Sequence, residues 1–195
     1  MTVKVKICGL STREAIETAQ SNGADFLGFV FCERSPRNIT PALAKKLAPY
    51  AKIPKVAVTV DASDELLAEI MANLKPEYIQ LHGNETDARA REIKEKYNVK
   101  LIKALHPGQS TDAAIYEFLM FDSPGGGTGK QFDYSGFKAP AQPWFLSGGL
   151  NAANVKEATQ KTGAKFVDIS SGVESSRGVK DLKKIEEFLR ITHDI

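Results

Sequence analysis

Two side chains of this sequence, Cys8 and Asp122, have the chemistry of a proton-transfer pair, and each stands directly after an apolar run. Cys8 follows Lys6-Ile7 and precedes Gly9. A thiol at such a strand end can act as base or nucleophile once its pKa is lowered. A small buried apolar residue is the competing reading, and position alone leaves both open. Asp122 closes Phe118-Leu119-Met120-Phe121. As an N-cap or loop carboxylate it would need a helix to cap, and Ser123-Pro124 with the glycines behind it offers none. A catalytic carboxyl is the reading preferred.

Two glycine turns have the chemistry of an anion site: Ser147-Gly148-Gly149-Leu150-Asn151 and Ser170-Ser171-Gly172-Val173-Glu174. Backbone N–H groups of Gly148, Gly149, Ser171 and Gly172 are the expected phosphate donors. Glycines that merely turn the chain are the alternative, and two such turns after successive strands weaken it. Arg37, in Ser35-Pro36-Arg37-Asn38, could hold a carboxylate with both arms of its fork, or could be a solvated surface arginine. His82, in Gln80-Leu81-His82-Gly83, reads equally as a ligand contact or a hydrogen-bonded structural histidine. Asp61 and His106 also follow apolar runs, but His106 precedes Pro107 and is a weaker candidate; His193 and Cys32 read as incidental. The tract Gly125 to Lys130 lacks the first glycine and the Ser/Thr of a nucleotide loop.

These residues need a scaffold that gathers strand ends. Eight short β-branched or aromatic runs alternate with segments of helical period: Val3 to Ile7, Asp25 to Val30, Lys55 to Val60, Tyr78 to Leu81, Leu101 to Leu105, Phe118 to Phe121, Trp144 to Leu146 and Phe166 to Ile169. Helix starts are marked by Thr40-Pro41, Ser63 and Asp181, each followed by apolar residues at helical spacing. The pattern predicts a compact α/β fold, a single (β/α)8 TIM barrel over residues 1–195. Its fifth helix is expected to be short or irregular, because only Thr111 to Glu117 is available for it. In that fold the active site lies at the C-terminal ends of the strands, which is where every candidate above falls. The glycine-rich segment Ser123 to Ser135 is expected to be a mobile lid. Strand alternation points Lys6 into the interior if Cys8 faces the mouth. A buried ammonium needs a carboxylate, with Asp168 the first candidate, and the cation would favour a Cys8 thiolate.

Composition narrows the function classes. A net charge of +2, from 26 basic and 24 acidic residues, gives no field for a polyanion, so no nucleic-acid partner is expected. Two widely spaced cysteines suit a reducing, cytoplasmic setting and make neither a disulfide framework nor a metal-ligand pair. No apolar run reaches membrane-spanning length, and the chain opens on Thr2-Val3-Lys4-Val5-Lys6-Ile7, which reads as structure rather than a targeting signal. The residues alone therefore describe a phosphate-binding barrel with a thiol and a carboxylate at its mouth. A Schiff-base lyase using Lys103, and a catalytically silent barrel serving as a partner domain, stay open beside it.

Taken together, Lys6-Ile7-Cys8-Gly9, Ser35-Pro36-Arg37, Gln80-Leu81-His82-Gly83, Asp122-Ser123 with Gly126-Gly127-Thr128-Gly129, Gly148-Gly149-Leu150 and Asp168-Ile169-Ser170-Ser171-Gly172-Val173-Glu174 resemble the phosphoribosylanthranilate isomerase family of tryptophan biosynthesis. The resemblance runs from Lys6 to about Asp181; Tyr134 stands where the family often has tryptophan. It implies an Amadori rearrangement of a small phosphorylated sugar amine, with no metal and no cofactor. Asp122 would be general acid and Cys8 general base; Arg37 would hold the anthranilate carboxylate and the glycine turns the phosphate, with His82 and Asp168 as further substrate contacts.

Overall fold

The computed structural model describes residues 2–105, 109–122 and 138–195. In chain order the elements are β1 (Lys4–Cys8), α1 (Arg13–Ser21), β2 (Phe26–Phe31), α2 (Pro41–Leu47), β3 (Lys55–Thr59) and α3 (Asp64–Asn73). Then come β4 (Tyr78–Leu81), α4 (Asp87–Tyr97), β5 (Lys100–Leu105), β6 (Phe118–Phe121) and β7 (Trp144–Leu146). The chain ends with α5 (Val155–Thr162), β8 (Phe166–Ile169), a hairpin of β9 (Glu174–Ser176) and β10 (Val179–Lys180), and α6 (Leu182–His193). Strands β1 to β8 pair in parallel in sequence order, and β8 pairs back onto β1, closing the (β/α)8 barrel. Between β5 and β6 the described residues form only the 3-10 turn Ala113–Ile115, the expected short fifth helix.

Local chemistry explains the helix starts. The hydroxyls of Thr12, Thr40, Ser63 and Thr86 each accept from the backbone N–H three residues on, and the Asp181 carboxylate accepts from Lys183 N and Lys184 N. Each cap fixes where its helix leaves the strand end, and so sets the length of the loop that carries site residues.

Strand register sorts the barrel interior into layers of four, contributed by alternate strands. The lowest holds Phe26, Tyr78, Phe118 and Phe166 from the even strands, and Phe145 packs on it from above. These rings meet at centroid distances of 5.0–6.0 Å and interplanar angles of 55–79°, the edge-on packing that aromatic quadrupoles favour. Phe145 shares the next layer with Lys6, Val56 and Ile102, and above it lie Gly28, Gln80, Met120 and Asp168. Cys8, Val58, Ala104 and Ser147 come next, and His82, Asp122 and Ser170 stand at the strand ends. The floor is thus apolar and rigid, and polarity rises layer by layer toward one end. Among the described residues no helix is long and apolar enough to cross a membrane. The proposed lid, Ser123 to Ser135, and His106 lie outside the described residues.

Candidate active site

One pocket at the C-terminal ends of the strands is lined by Cys8, Arg37, Gln80, His82, Asp122, Ser147, Gly148, Gly149, Asp168, Ser170 and Ser171. The candidates drawn from six different strand ends therefore open onto one space. Asp61 is not among the lining residues: at φ 48° its carboxylate Oδ1 accepts from Asn84 N at 2.8 Å and shapes the loop after β4. Cys32, set aside on sequence grounds, does line the pocket.

Lys6 is fully buried, and its Nζ donates to Asp168 Oδ1 at 2.7 Å, the pairing that strand alternation requires. Ser147 Oγ donates to the other oxygen of Asp168 at 3.3 Å. Burial alone would lower the Lys6 pKa, but the Asp168 carboxylate and the nearby Cys8 sulfur raise it, so the ammonium stays charged in the barrel interior. Asp168 lines the pocket, and with both oxygens engaged it reads as the holder of Lys6.

Lys6 favours a Cys8 thiolate, as its position predicts, but does not decide the balance. Burial pushes the Cys8 thiol up from the ordinary value, Asp168 adds to the rise, and the pull of Lys6 and Lys180 does not overcome them. The cation beneath Cys8 moderates the penalty on a thiolate without removing it. Desolvation is the larger effect at a site this deep.

Gly28 makes room for that thiol. A Cβ at position 28 would lie 2.9 Å from both the Cα and the Sγ of Cys8, closer than packed atoms come. The vacancy that glycine leaves in its layer is filled by the cysteine side chain of the layer above. Gly28→Ala is therefore expected to tilt Cys8 and lower turnover by about 10²-fold, since misplacing a reacting group by about 1 Å costs that much. Steady-state kinetics on the folded variant checks it.

Asp122 is buried, and its Oδ2 lies 3.5 Å from His82 Nε2. The other ring nitrogen of His82 is 2.9 Å from Gln80 Nε2, which also donates to Met120 Sδ at 3.2 Å. Gln80 was not singled out from the sequence. Its signal was there: it shares an inward face with Tyr78 in a fully buried four-residue strand.

The Arg37 fork is half committed. Its Nε and Nη2 donate to the two Glu174 oxygens at 2.6 and 3.0 Å, and Lys180 Nζ donates to Glu174 Oε1 at 2.9 Å. The paired cations hold the Glu174 carboxyl down at about 2 despite burial. Glu174 and Lys180 carried no assigned role in the sequence reading, because a pairing across 137 residues leaves no local trace.

The two glycine turns abut: a Cβ at Gly172 would overlap the Leu150 carbonyl oxygen. Gly148 and Gly149 take φ of 91° and 66°, a left-handed pair that glycine tolerates. Among the described residues the N–H groups of Gly149, Ser171 and Gly172 donate to no protein acceptor, so they are available to an anion. Lys103, the Schiff-base candidate, points away from the interior and donates to Gly83 O, Glu85 O and Glu85 Oε2. A lysine so engaged outside the pocket removes the basis for lyase chemistry there.

Comparison with known proteins adds an independent line. The family model described as N-(5'phosphoribosyl)anthranilate (PRA) isomerase matches residues 5–190. The N-(5'-phosphoribosyl)anthranilate isomerase of Parvibaculum lavamentivorans is 48% identical over 210 residues, covering 97% of this chain and 98% of that protein. The crystal structure of TrpF from Jonesia denitrificans superposes with a TM-score of 0.86 at 32% identity, covering 97% of this chain and 96% of that one. A phosphoribosyl anthranilate isomerase solved in complex with reduced 1-(o-carboxyphenylamino)-1-deoxyribulose 5-phosphate superposes at 0.81 with 28% identity, covering 99% and 100%.

Proposed function

The chain belongs to the N-(5'-phosphoribosyl)anthranilate isomerase family, and from that premise we propose that Asp122 and Cys8 are the general acid and general base of its isomerisation. The reaction is the Amadori rearrangement of N-(5'-phosphoribosyl)anthranilate to 1-(2-carboxyphenylamino)-1-deoxyribulose 5-phosphate, a step of tryptophan biosynthesis. The observation that carries the assignment is that Cys8, Asp122, Arg37 and both glycine turns open onto one pocket.

The chemistry follows from that arrangement. Asp122 gives a proton to the ring oxygen as the C1–O bond breaks, and the nitrogen lone pair forms a C1=N iminium. The Cys8 thiolate takes the proton from C2, and those electrons form the C1=C2 bond and neutralise the nitrogen. The enolamine gains a proton at C1 and loses one from the C2 hydroxyl, leaving the ketone. The balance is one proton moved from C2 to C1 and one from the C2 hydroxyl to the former ring oxygen, with no electron donor or acceptor consumed.

Thiol with carboxylate and thiolate with carboxylic acid hold the same number of protons, so the reactive pairing differs from its tautomer by one internal transfer. The iminium places a positive charge beside the sulfur at the step that needs a thiolate, and so offsets the burial that disfavours it at rest. Arg37 holds the aryl carboxylate and the N–H groups of Gly149, Ser171 and Gly172 hold the phosphate. The reducing cytoplasm would keep the free Cys8 in its reactive state.

The test is loss of substrate fluorescence catalysed by the purified protein, with and without EDTA. Turnover that EDTA leaves unchanged is expected, because the iminium is itself the electron sink. Absence of turnover, or its abolition by chelation, would overturn the proposal.

A further inference from the structure

We propose that Glu174 is a positioning residue that makes the pocket selective for an aryl carboxylate, by occupying the Nε–Nη2 edge of Arg37 so that only the Nη1–Nη2 edge is presented to substrate. A guanidinium has two edges that can grip a carboxylate with parallel hydrogen bonds. Glu174 takes the first, at 2.6 and 3.0 Å, and Nη1 donates to no described protein group. Rotation of the fork is what an unaided arginine would be free to do, and here its stem is also confined. Gly9, at φ 81°, lies so close that a Cβ there would come within 2.7 Å of Arg37 Cδ.

Glu174 is fixed in turn from three sides. Lys180 Nζ donates to its Oε1 at 2.9 Å, Gly178 N to its Oε2 at 3.1 Å, and Lys184 Nζ to its backbone oxygen at 2.8 Å. Lys180 Nζ also donates to Ser170 O and Ser170 Oγ at 2.9 and 3.2 Å, and Ser170 Oγ donates to Cys8 O at 3.0 Å. The β9–β10 hairpin thus ties the carboxylate-reading arm to the strand that carries the base. Arg37, Lys180 and Glu174 together carry one net positive charge, which a substrate carboxylate neutralises. A carboxyl held at about 2 remains ionised at working pH, so the Glu174 side of the clamp stays charged.

The inference rests on the reading that Arg37 holds the substrate carboxylate, and the experiment separates the two. Turnover is measured on N-(5'-phosphoribosyl)anthranilate and on N-(5'-phosphoribosyl)aniline, which lacks only the carboxylate, for the wild type, Arg37→Ala, Glu174→Gln and Glu174→Asp. The readout is the ratio of kcat/KM for the two substrates. Arg37→Ala is expected to bring the ratio close to one. Glu174→Gln is expected to lower it by roughly 10- to 100-fold, mostly through KM for the anthranilate substrate, the scale of a charge-assisted hydrogen bond. Glu174→Asp, which keeps the charge but withdraws it by one methylene, should fall between, and it decides the matter if the glutamine variant does not fold. If Arg37→Ala lowers the ratio and neither Glu174 variant does, or if both substrates suffer equally in those variants, Glu174 is structural and the inference is overturned. If Arg37→Ala keeps the ratio, the carboxylate reading itself fails and the inference falls with it.

Discussion

Cys8→Ser is expected to lower turnover by about 10²–10⁴-fold, the range for removing a positioned general base. Serine fills the space beside Gly28 without crowding it, so the loss reports chemistry rather than packing. A hydroxyl is a far weaker acid than a thiol and will not supply an anion even beside an iminium. The pH profile carries a second signature. Wild-type kcat/KM should be bell-shaped, because the active protein needs one proton shared between thiol and carboxyl. The rate falls with rising pH where that last proton is lost. Burial raises the Cys8 thiol, so this alkaline limb lies above the ordinary thiol range. In Cys8→Ser the alkaline limb should vanish from the accessible range. A variant with near-normal turnover and the same limb would remove Cys8 from the reaction.

Asp122→Asn should be comparably severe, also on the order of 10²–10⁴-fold in kcat. The amide keeps the size of the side chain and can still meet His82, 3.5 Å from Oδ2 in the native site, but it has no acidic proton for the ring oxygen. The proposed phosphate and carboxylate contacts, the glycine turns and Arg37, are untouched by the change, so KM should move only a few-fold. The measurement is kcat and KM determined together. Near-normal kcat would reassign the acid to His82, since Asp168 is engaged with Lys6 and Ser147.

The barrel was legible because each strand is a short apolar run closed by turn chemistry, and Tyr78–Leu81, Phe118–Phe121, Trp144–Leu146 and Phe166–Ile169 have the bounds read from sequence. Parity along β1 was equally legible: two residues below Cys8, an ammonium had to find a carboxylate, and it finds Asp168. The β9–β10 hairpin was not, because strands of three and two residues are too short to show a period. With it went the return of Lys180 to Ser170 and the clamp on Arg37. The net protonation of Cys8 was not legible for a different reason. Sequence shows which charges alternate onto one face, but not how little water reaches them, and at Cys8 desolvation outweighs the charge.

The most direct test of the central claim follows the hydrogen that the base must remove. With substrate deuterated at C2 of the ribose, wild-type turnover at an early, C–H-breaking step should slow by a primary isotope effect, and the label should leave C2. In Cys8→Ala, bound substrate should retain its C2 deuterium over many wild-type turnover times, while Asp122→Asn given the same label should retain it because the ring never opens. Release of the label by Cys8→Ala at a rate near that of the wild type would show that another group takes the C2 proton.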